Sequence, residues 1–530
     1  MLKRPELRRP HGPFMNAISI FNHVVGPVMR GPSSSHTAGA FHIGALARSL
    51  LGATPSAATI AFDADGSYAK CYHTQGADLA FAVGLLGWPI TDERFPNALD
   101  EAAKAGLAIE FVVGKLDGAD HPNAVDLRLT SREGRTLDAR ANSVGGGAIE
   151  FVRLAGWPVH FTGDAYEVAV EVQPAAETRV IELLALDGAL MGEPARHARD
   201  GMSFVSVRRR TPLSPEVRSS LNALPGLRAQ WATEPIFFVQ RGQPIFSSAA
   251  EMVRLSRERG LSLGRLALEY EARLLGLSEG DVLAEMGRRF DVMQRAVARG
   301  LEPSLPRMQL LSPSAGSVYQ ADSRGSLAVG GLHTRAAARA LAVMHVNSSM
   351  GVVCAAPTGG SAGTLPAVVV TLVEEMGLSR EGAIVALLAA GAVGVIVANR
   401  ATFAAEVAGC QVEIGAAGAM AAAAAVEAAG GTAEQAADAA SIAFQNTMGS
   451  VCDLVQGIVE IPCHTRNAVA ASNAFVCADL ILGGYANPIP LDETVDAVYA
   501  VGKMLPAELR CTALGGLAMA PSARALRRRE

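Results

Sequence analysis

The segments GCQVEIG (residues 409–415) and SVCDLVQGIVEIPCHTRNAVAASN (residues 450–473) decide how the rest of the chain is read. They hold Cys410, Cys452 and Cys463, spaced by 42 and 11 positions, in a polar, glycine-punctuated setting inside an otherwise alanine-rich, apolar half. Thiolates are soft ligands suited to iron–sulfur clusters, zinc and copper(I). Structural zinc sites usually take four protein ligands, often in close pairs such as C-x2-C, and no such pair occurs here. A small buried hydrophobe is the ordinary role of an unpaired cysteine. Spacing alone therefore leaves buried structural thiols and a metal site both open.

Around that segment, 530 residues predict two to four domains. Half of the residues are hydrophobic, only 18% are charged, and the formal net charge is −5. Apart from the tail Arg527, Arg528 and Arg529, read as a solvated terminus, there is no basic block, so nucleic acid is not expected as a partner. The basic N-terminal stretch MLKRPELRRPHGPF lacks a following apolar run and does not read as a secretory signal. Residues 382–399, GAIVALLAAGAVGVIVAN, are about long enough to span a bilayer, but their Ala, Gly and Val content beside further apolar helices predicts a buried helix and no membrane partner. The seven cysteines are odd in number in a long chain, which argues against a disulfide framework. Cys477, in AFVCADLILGG, reads as a core residue.

Taken in order, residues 15–160 mix strands with helices. ATIAFDA (58–64), AIEFVVG (108–114) and AVDLRLT (124–130) predict strands, and LAFAVGLLG (79–87) a helix. Two loops stand out. GPVMRGPSSSHTAGA (26–40) places Ser33, Ser34, Ser35, His36 and Thr37 before a helix-like run, where hydroxyls beside free N–H donors suit a carboxylate or phosphate. SVGGGAIE (143–150) is either a turn or a place where backbone approaches another domain. Residues 166–240 alternate as a ferredoxin-like βαββαβ unit, with one strand before Met202 weakly marked. From about residue 245 strands stop and helices follow, broken at APTGGSAG (356–363), VAGCQVEIG (407–415), GIVEIPCHTRN (457–467) and ALGGLAMAPS (513–522).

Those segments, with NSSMGVVCAAPTGGSAG (347–363) and the two N-terminal loops, closely resemble the iron–sulfur-dependent L-serine dehydratases, over most of the chain. The resemblance implies a multidomain chain: an α+β "β-type" domain at 1–162, an ACT-like unit at 163–242 and a large all-helical catalytic domain at 243–530, all fused. It implies a [4Fe–4S] cluster on Cys410, Cys452 and Cys463, with Cys354 not a ligand. The implied reaction is removal of water, then ammonia, from L-serine or a related small β-hydroxy amino acid, giving a 2-oxo acid. His36 and His73 are the acid–base candidates. Ser33, Ser34, Ser35, Thr37, Pro357, Thr358, Gly359, Ser361, Asn399, Arg466 and Asn467 are the candidates for holding the substrate or orienting the cluster. A homodimer and a cytoplasmic location are expected.

The sequence also departs from the family pattern. Where the family carries a loop like G-K-G-H-x-T-D, this chain reads AKCYHTQGAD (69–78), with Gln75 in the register of the His, His73 two residues earlier, and Asp78 kept. Glutamine cannot act as a general base near neutral pH. The proline expected after Cys452 is missing from DLVQG, and the run before Cys410 introduces Arg400 and Glu406. An inward Arg400 would suit a second anionic group on the substrate. VQPAAE (172–177) lacks the glycine usual in amino-acid-binding ACT units, so a structural or dimer-forming role is expected there. Elimination from a different substrate, including cysteine, and a catalytically silent cluster-binding homologue remain as alternatives.

Overall fold

The structure, a computed structural model, describes residues 17–305 and 308–529. The N-terminal stretch read above for a leader falls outside the described residues up to residue 16. The chain is a multidomain assembly of an α/β N-terminal region, a small βαββαβ unit and a large helical region, as its sequence pattern predicts.

A first short strand, β1 (Val28–Arg30), is followed by the helix Gly39–Leu51 and by β2 (Pro55–Asp63), β3 (Ala108–Gly114), β4 (Ala124–Ser131), β5 (Thr136–Gly145), β6 (Ala148–Leu154) and β7 (Trp157–Phe161). The last six form one sheet in the order β3-β2-β4-β5-β6-β7, parallel only between β2 and β3. Helices Gly39–Leu51 and Ala77–Leu86 pack against each other, and the first also lies on β5. The triple glycine is both of the things its sequence allowed. Gly145, Gly146 and Gly147 turn the β5–β6 hairpin at φ of 100°, 63° and 89°, where side chains are strained. A Cβ on Gly147 would also come within 3.0 Å of Pro27, and one on Gly145 within 3.4 Å of Ala404 in the helical region.

The small unit runs β8 (Tyr166–Val172), helix Glu177–Ala185, β9 (Ala195–Arg199), β10 (Met202–Arg209), helix Pro215–Asn222 and β11 (Leu227–Ala232). Its antiparallel sheet has the order β11-β8-β10-β9. Alternating valines on β8 and β10 meet Val180, Leu184, Val217 and Leu221 from the two helices in a core of their own.

Among the described residues the helical region is almost strand-free, with one exception that the apolar pattern hid. Residues Val352–Cys354 form β12, which pairs antiparallel with β1. Residues 18–30 accordingly pack on the helical region. The carboxylate of Glu271 accepts from the backbone N–H of Ile20 (2.8 Å) and Phe21 (3.0 Å), and the Tyr270 hydroxyl donates to Ile18 O. Among the described residues one helix, Arg380–Arg400, is long and apolar enough to cross a membrane, and 78% of its most apolar window is buried in the protein. The C-terminal tail is docked: Arg529 N donates to Gln309 O at 2.7 Å, and Arg528 Nε to Gln456 Oε1 at 3.1 Å.

Glu167 makes the small unit sensitive to pH. Its side chain is fully buried, Oε1 accepts from Thr162 N and Gly163 N, and Oε2 has no partner. Burial raises its carboxyl from 4.5 to about 8, outweighing Arg208 at 3.9 Å. The folded unit then holds a proton that the unfolded chain releases, so this contribution falls as pH rises between about 5 and 8. Glu167→Gln keeps an acceptor and removes the titration. Its unfolding midpoint should gain on the parent's by roughly 2–5 °C between those limits, read by thermal melts across pH.

Candidate active site

Burial of thiols against carboxylates defines the site. Cys410, Cys452 and Cys463 lie in one apolar cluster with Met344, Ile414 and Val459, and Cys511 packs against it. Three local structures deliver the predicted thiols. Cys410 opens a short 3-10 turn, Cys410–Val412, behind Gly409, whose φ of 76° excludes most side chains. Cys452 sits in an extended loop, its N–H bonded to Leu509 O at 2.9 Å. Cys463 begins the helix Cys463–Leu482, directly after Pro462. All are free thiols.

Sγ of Cys410, a carboxylate oxygen of Glu413 and Sγ of Cys452 lie within 4.8 Å of one another, close enough to share a metal ion. Cys463 flanks this trio. Cys452 is pushed well above the usual thiol range by its hydrogen bonds with Cys410 and Cys511 and by burial; Cys463 is raised by burial, then by Cys410. Thiols so placed cannot ionise together without a cation among them. Arg466 brings a fixed positive charge to the thiols: it donates to Cys410 Sγ (3.6 Å) and Val451 O (2.8 Å) and pairs with Asp453 at 2.9 Å. The donor set thus fits a soft metal centre, a cluster included.

A cavity of about 460 Å³ lies between the Cys463 side of this cluster and the serine-rich loop. Cys463, Cys511, Glu406 and Glu413 line it from the helical region, and Ser33–His36, Ser67 and Lys70 from the N-terminal region. Ser34–Ala38 form a wide turn that runs into the helix Gly39–Leu51. Ser33 caps that turn by accepting from His36 N (3.1 Å). His36 is held on both ring nitrogens, by Ser33 Oγ at 3.2 Å and Ser67 Oγ at 2.8 Å, with Tyr68 edge-on at 5.0 Å. Burial pushes its imidazole down to about 4, so it is neutral near pH 7. Ser35 Oγ reaches Glu406 at 3.5 Å. Glu413 is raised to about 7 by burial, with Glu406 adding and Thr358 opposing; Glu406 is raised by burial.

The remaining predicted residues divide by placement. Thr358 lines the cavity and donates to Glu413 Oε1 at 2.5 Å. Ser361 bonds Thr358 Oγ1 at 3.0 Å and shapes the loop from within. Gly359 is wedged where a Cβ would lie 3.0 Å from Pro32 O and Ser34 N, and Pro357 O approaches the triple-glycine turn. Thr37 is fully buried and donates to Gln75 O at 2.8 Å, so it holds the neighbouring loop. Asn467 is a clamp: it donates to Gly360 O (2.8 Å) and Cys463 O (2.9 Å) and accepts from Gly363 N and Thr364 Oγ1.

Three expectations need correction. His73 is 82% exposed and paired with Asp78 at 2.6 Å, and it does not line the cavity; the chain turns it outward while Gln75 faces in. Gln75 is a strut, donating to Gly457 O at 3.1 Å. Asn399 donates to Ser247 O at 3.2 Å at the far end of its helix, away from the cavity. Arg400 likewise turns to Asp496 Oδ1 (3.0 Å) and Asp492 O (3.1 Å) and offers no second anion site. Cys354 lies on β12, apart from the thiol cluster and beside Arg289.

Glu413 and Cys511 escaped the sequence reading. Glu413 stands three residues after Cys410 in the quoted GCQVEIG, a carboxylate beside a thiol in a tight loop, and that was the available signal. Cys511 stands two residues before the ALGGLAMAPS segment, but a single cysteine at that distance carried none.

Residues 258–518 match the family model described as serine dehydratase alpha chain. The chain is 39% identical over 285 residues to the probable L-serine dehydratase alpha chain of Bacillus subtilis, covering 54% of this chain and 95% of that one. It is 38% identical over 285 residues to the L-serine dehydratase alpha chain of Peptoniphilus asaccharolyticus, covering 54% of this chain and 98% of that one. It is also 40% identical over 146 residues to the probable L-serine dehydratase beta chain of B. subtilis, covering 28% of this chain and 64% of that one. A helical catalytic region with this thiol and carboxylate pocket is thus that of a lyase. The chain belongs to the L-serine dehydratase family.

The Asn467 clamp predicts a structural cost. Asn467→Ala leaves the buried Gly360 carbonyl and Gly363 N–H unpaired, which should lower unfolding stability by about 2–3 kcal/mol, measured by denaturant titration followed by circular dichroism.

Proposed function

We propose that this chain is a [4Fe–4S]-dependent lyase that removes water and then ammonia from L-serine, or a closely related small β-hydroxy amino acid, to give a 2-oxo acid. The carrying observation is the convergence of Cys410, Cys452 and Cys463 in one buried cluster, whose Cys463 lines a cavity opposite the Ser33–His36 loop. When bound there, the cluster would supply a Lewis acid for the substrate's β-hydroxyl, a poor leaving group on its own.

The chain's own residues do the rest. Glu406 and Glu413 stand together on the cavity wall, which suits the substrate's ammonium group. Lys70, Arg510 and the hydroxyls of Ser33–Ser35 line the same cavity and suit its carboxylate. His36, neutral and fixed between two hydroxyls, is positioned to accept the Cα proton. It replaces the base that the Gln75 register removes. The enamine left after loss of water tautomerises to the imine, and water releases ammonia from it. Reduced free thiols and an oxidation-prone centre favour work in the cytoplasm.

A second reading has its own support: the trio Cys410, Glu413 and Cys452 is compact enough for one tetrahedral ion such as zinc. Anaerobic purification with metal and sulfide analysis separates the two. The cluster reading expects a brown protein with about four irons and matching sulfide per chain, releasing pyruvate and ammonia from L-serine. One zinc and no iron after reconstitution would overturn it. His36→Asn should lower kcat by about 100-fold or more with iron content unchanged, while Glu406→Gln should chiefly raise KM. The opposite pattern would make Glu406 the base.

A further inference from the structure

A second cavity, of about 600 Å³, lies on the face of the six-stranded sheet turned away from the helix Gly39–Leu51. Ala139 and Ala141 of β5 point into the core and Ser143 toward Ser35 O, so Arg140 and Asn142 between them face this cavity. Residues 115–122 arch over them, and Arg140 and Asn142 are only 6% and 5% exposed. Arg140 is answered: it donates to the two oxygens of Asp126 at 2.6 and 2.7 Å and to Asp117 O at 2.9 Å, while Arg153 reaches the same Asp126 at 3.0 Å. Asn142 is not answered, because its buried Oδ1 has no hydrogen-bond partner. Such an acceptor is costly to bury unless a ligand meets it. Glu150 stands directly opposite Asn142 on β6 and lines the same cavity. His160 Nδ1 lies 2.6 Å from its Oε1, and that bond holds Glu150 below the usual carboxylate range against the effect of burial. Asp117 and Asp120 complete the wall from the loop, both close enough to act on the Arg140 charge. Asp117, Asp120, Asp126 and Glu150 thus outnumber the two guanidiniums and leave an excess of negative charge around an orphaned oxygen.

The donor types choose the ligand. His121 lines the cavity, but its Nδ1 accepts from Asn123 N at 3.1 Å, so the neutral ring carries its proton on Nε2 and offers no lone pair. The remaining donors are all oxygens, the set of a hard cation. Among the described residues the acidic side chains here do not converge as tightly as Cys410, Glu413 and Cys452, so water must fill the gaps, as magnesium prefers. We propose that this cleft holds a hydrated divalent cation of the magnesium class, bound directly by Asn142 Oδ1 and Glu150 Oε2 and through water by Asp117 and Asp120. The proposal does not depend on the cluster reading. Its consequence reaches the first cavity. The loop that carries Asp117 and Asp120 ends at Pro122, whose O accepts from Ser67 N at 2.7 Å, and Ser67 Oγ holds His36 Nε2 at 2.8 Å. A cation that pins the loop steadies one support of His36.

The test uses manganese(II), which substitutes for magnesium and loses its free-ion EPR signal on binding. Titrated into the full chain, manganese should fill a site from which magnesium displaces it. Asp120→Asn, at an exposed loop position, should weaken that binding about tenfold, and Asn142→Ala should remove it. Cys452→Ser, which alters the thiol trio at the other cavity, should keep the site at the parent's affinity. Putrescine, a dication with no vacant coordination to offer, should not displace the ion. A parent that binds no manganese at millimolar concentration overturns the proposal. So does a site that Asp120→Asn leaves unchanged or that Cys452→Ser abolishes, and so does displacement by putrescine as readily as by magnesium. A second measurement stands even if Asn142→Ala does not fold: magnesium should raise the parent's unfolding midpoint and leave that of Asp120→Asn nearly unmoved. Equal shifts in the two proteins overturn the proposal.

Discussion

The two-stranded ladder between β1 and β12 is the constraint on which the rest of the site depends. Val28, Met29 and Arg30 pair with Cys354, Val353 and Val352, joining segments more than 300 positions apart in sequence. The serine-rich loop leaves one end of that ladder and the Pro357–Gly363 loop leaves the other, so three residue pairs set the two walls of the cavity against each other. The fit tightens immediately beyond the strand. A Cβ on Gly31 would lie 2.0 Å from Asn347 O, and Asn347 donates to Pro32 O at 2.9 Å. Loop closure over so long a separation is entropically costly, and it is offset here by burial of Ile20, Phe21, Val24 and Met29 against the helices.

Within that frame the site is governed by the scarcity of compensating charge. Four thiols and two carboxylates share one enclosed region. Burial and mutual repulsion hold both carboxyls and the thiols of Cys452, Cys463 and Cys511 above their ordinary ranges. Arg466 answers part of this at Cys410, Lys70 and Arg510 line the same cavity, and a bound cationic centre would add to them. The same low-dielectric setting keeps His36 neutral.

Much of the site was legible because its parts are local. Glycines flank Cys410, a proline precedes Cys463, and a run of hydroxyls ends in a helix start; each is a short-range signal with a short-range cause. The units were legible for a similar reason, since period-2 and helical patterns report which face of a strand or helix is buried. His73 was misplaced because register says only which residues share a loop. Which of His73 and Gln75 turns inward was settled by tertiary contacts: His73 stays exposed and pairs with Asp78, while Gly457 O receives the Gln75 amide. Arg400 and Asn399 were misplaced because a helix end near Cys410 in sequence projects its last residues toward the helix Leu491–Met504 and Ser247 instead.

The sequence by itself determined the family, the three kinds of unit and the three cysteines, because these rest on composition, periodicity and contiguous motifs. The tertiary structure decided the strand hidden in the helical half, the inward face of the 69–78 loop, the carboxylate pair, and Cys511 as a fourth thiol beside Cys452. Each of those depends on contacts between segments distant in the chain. Packing and backbone pairing choose such contacts from the whole molecule, and no local pattern encodes them.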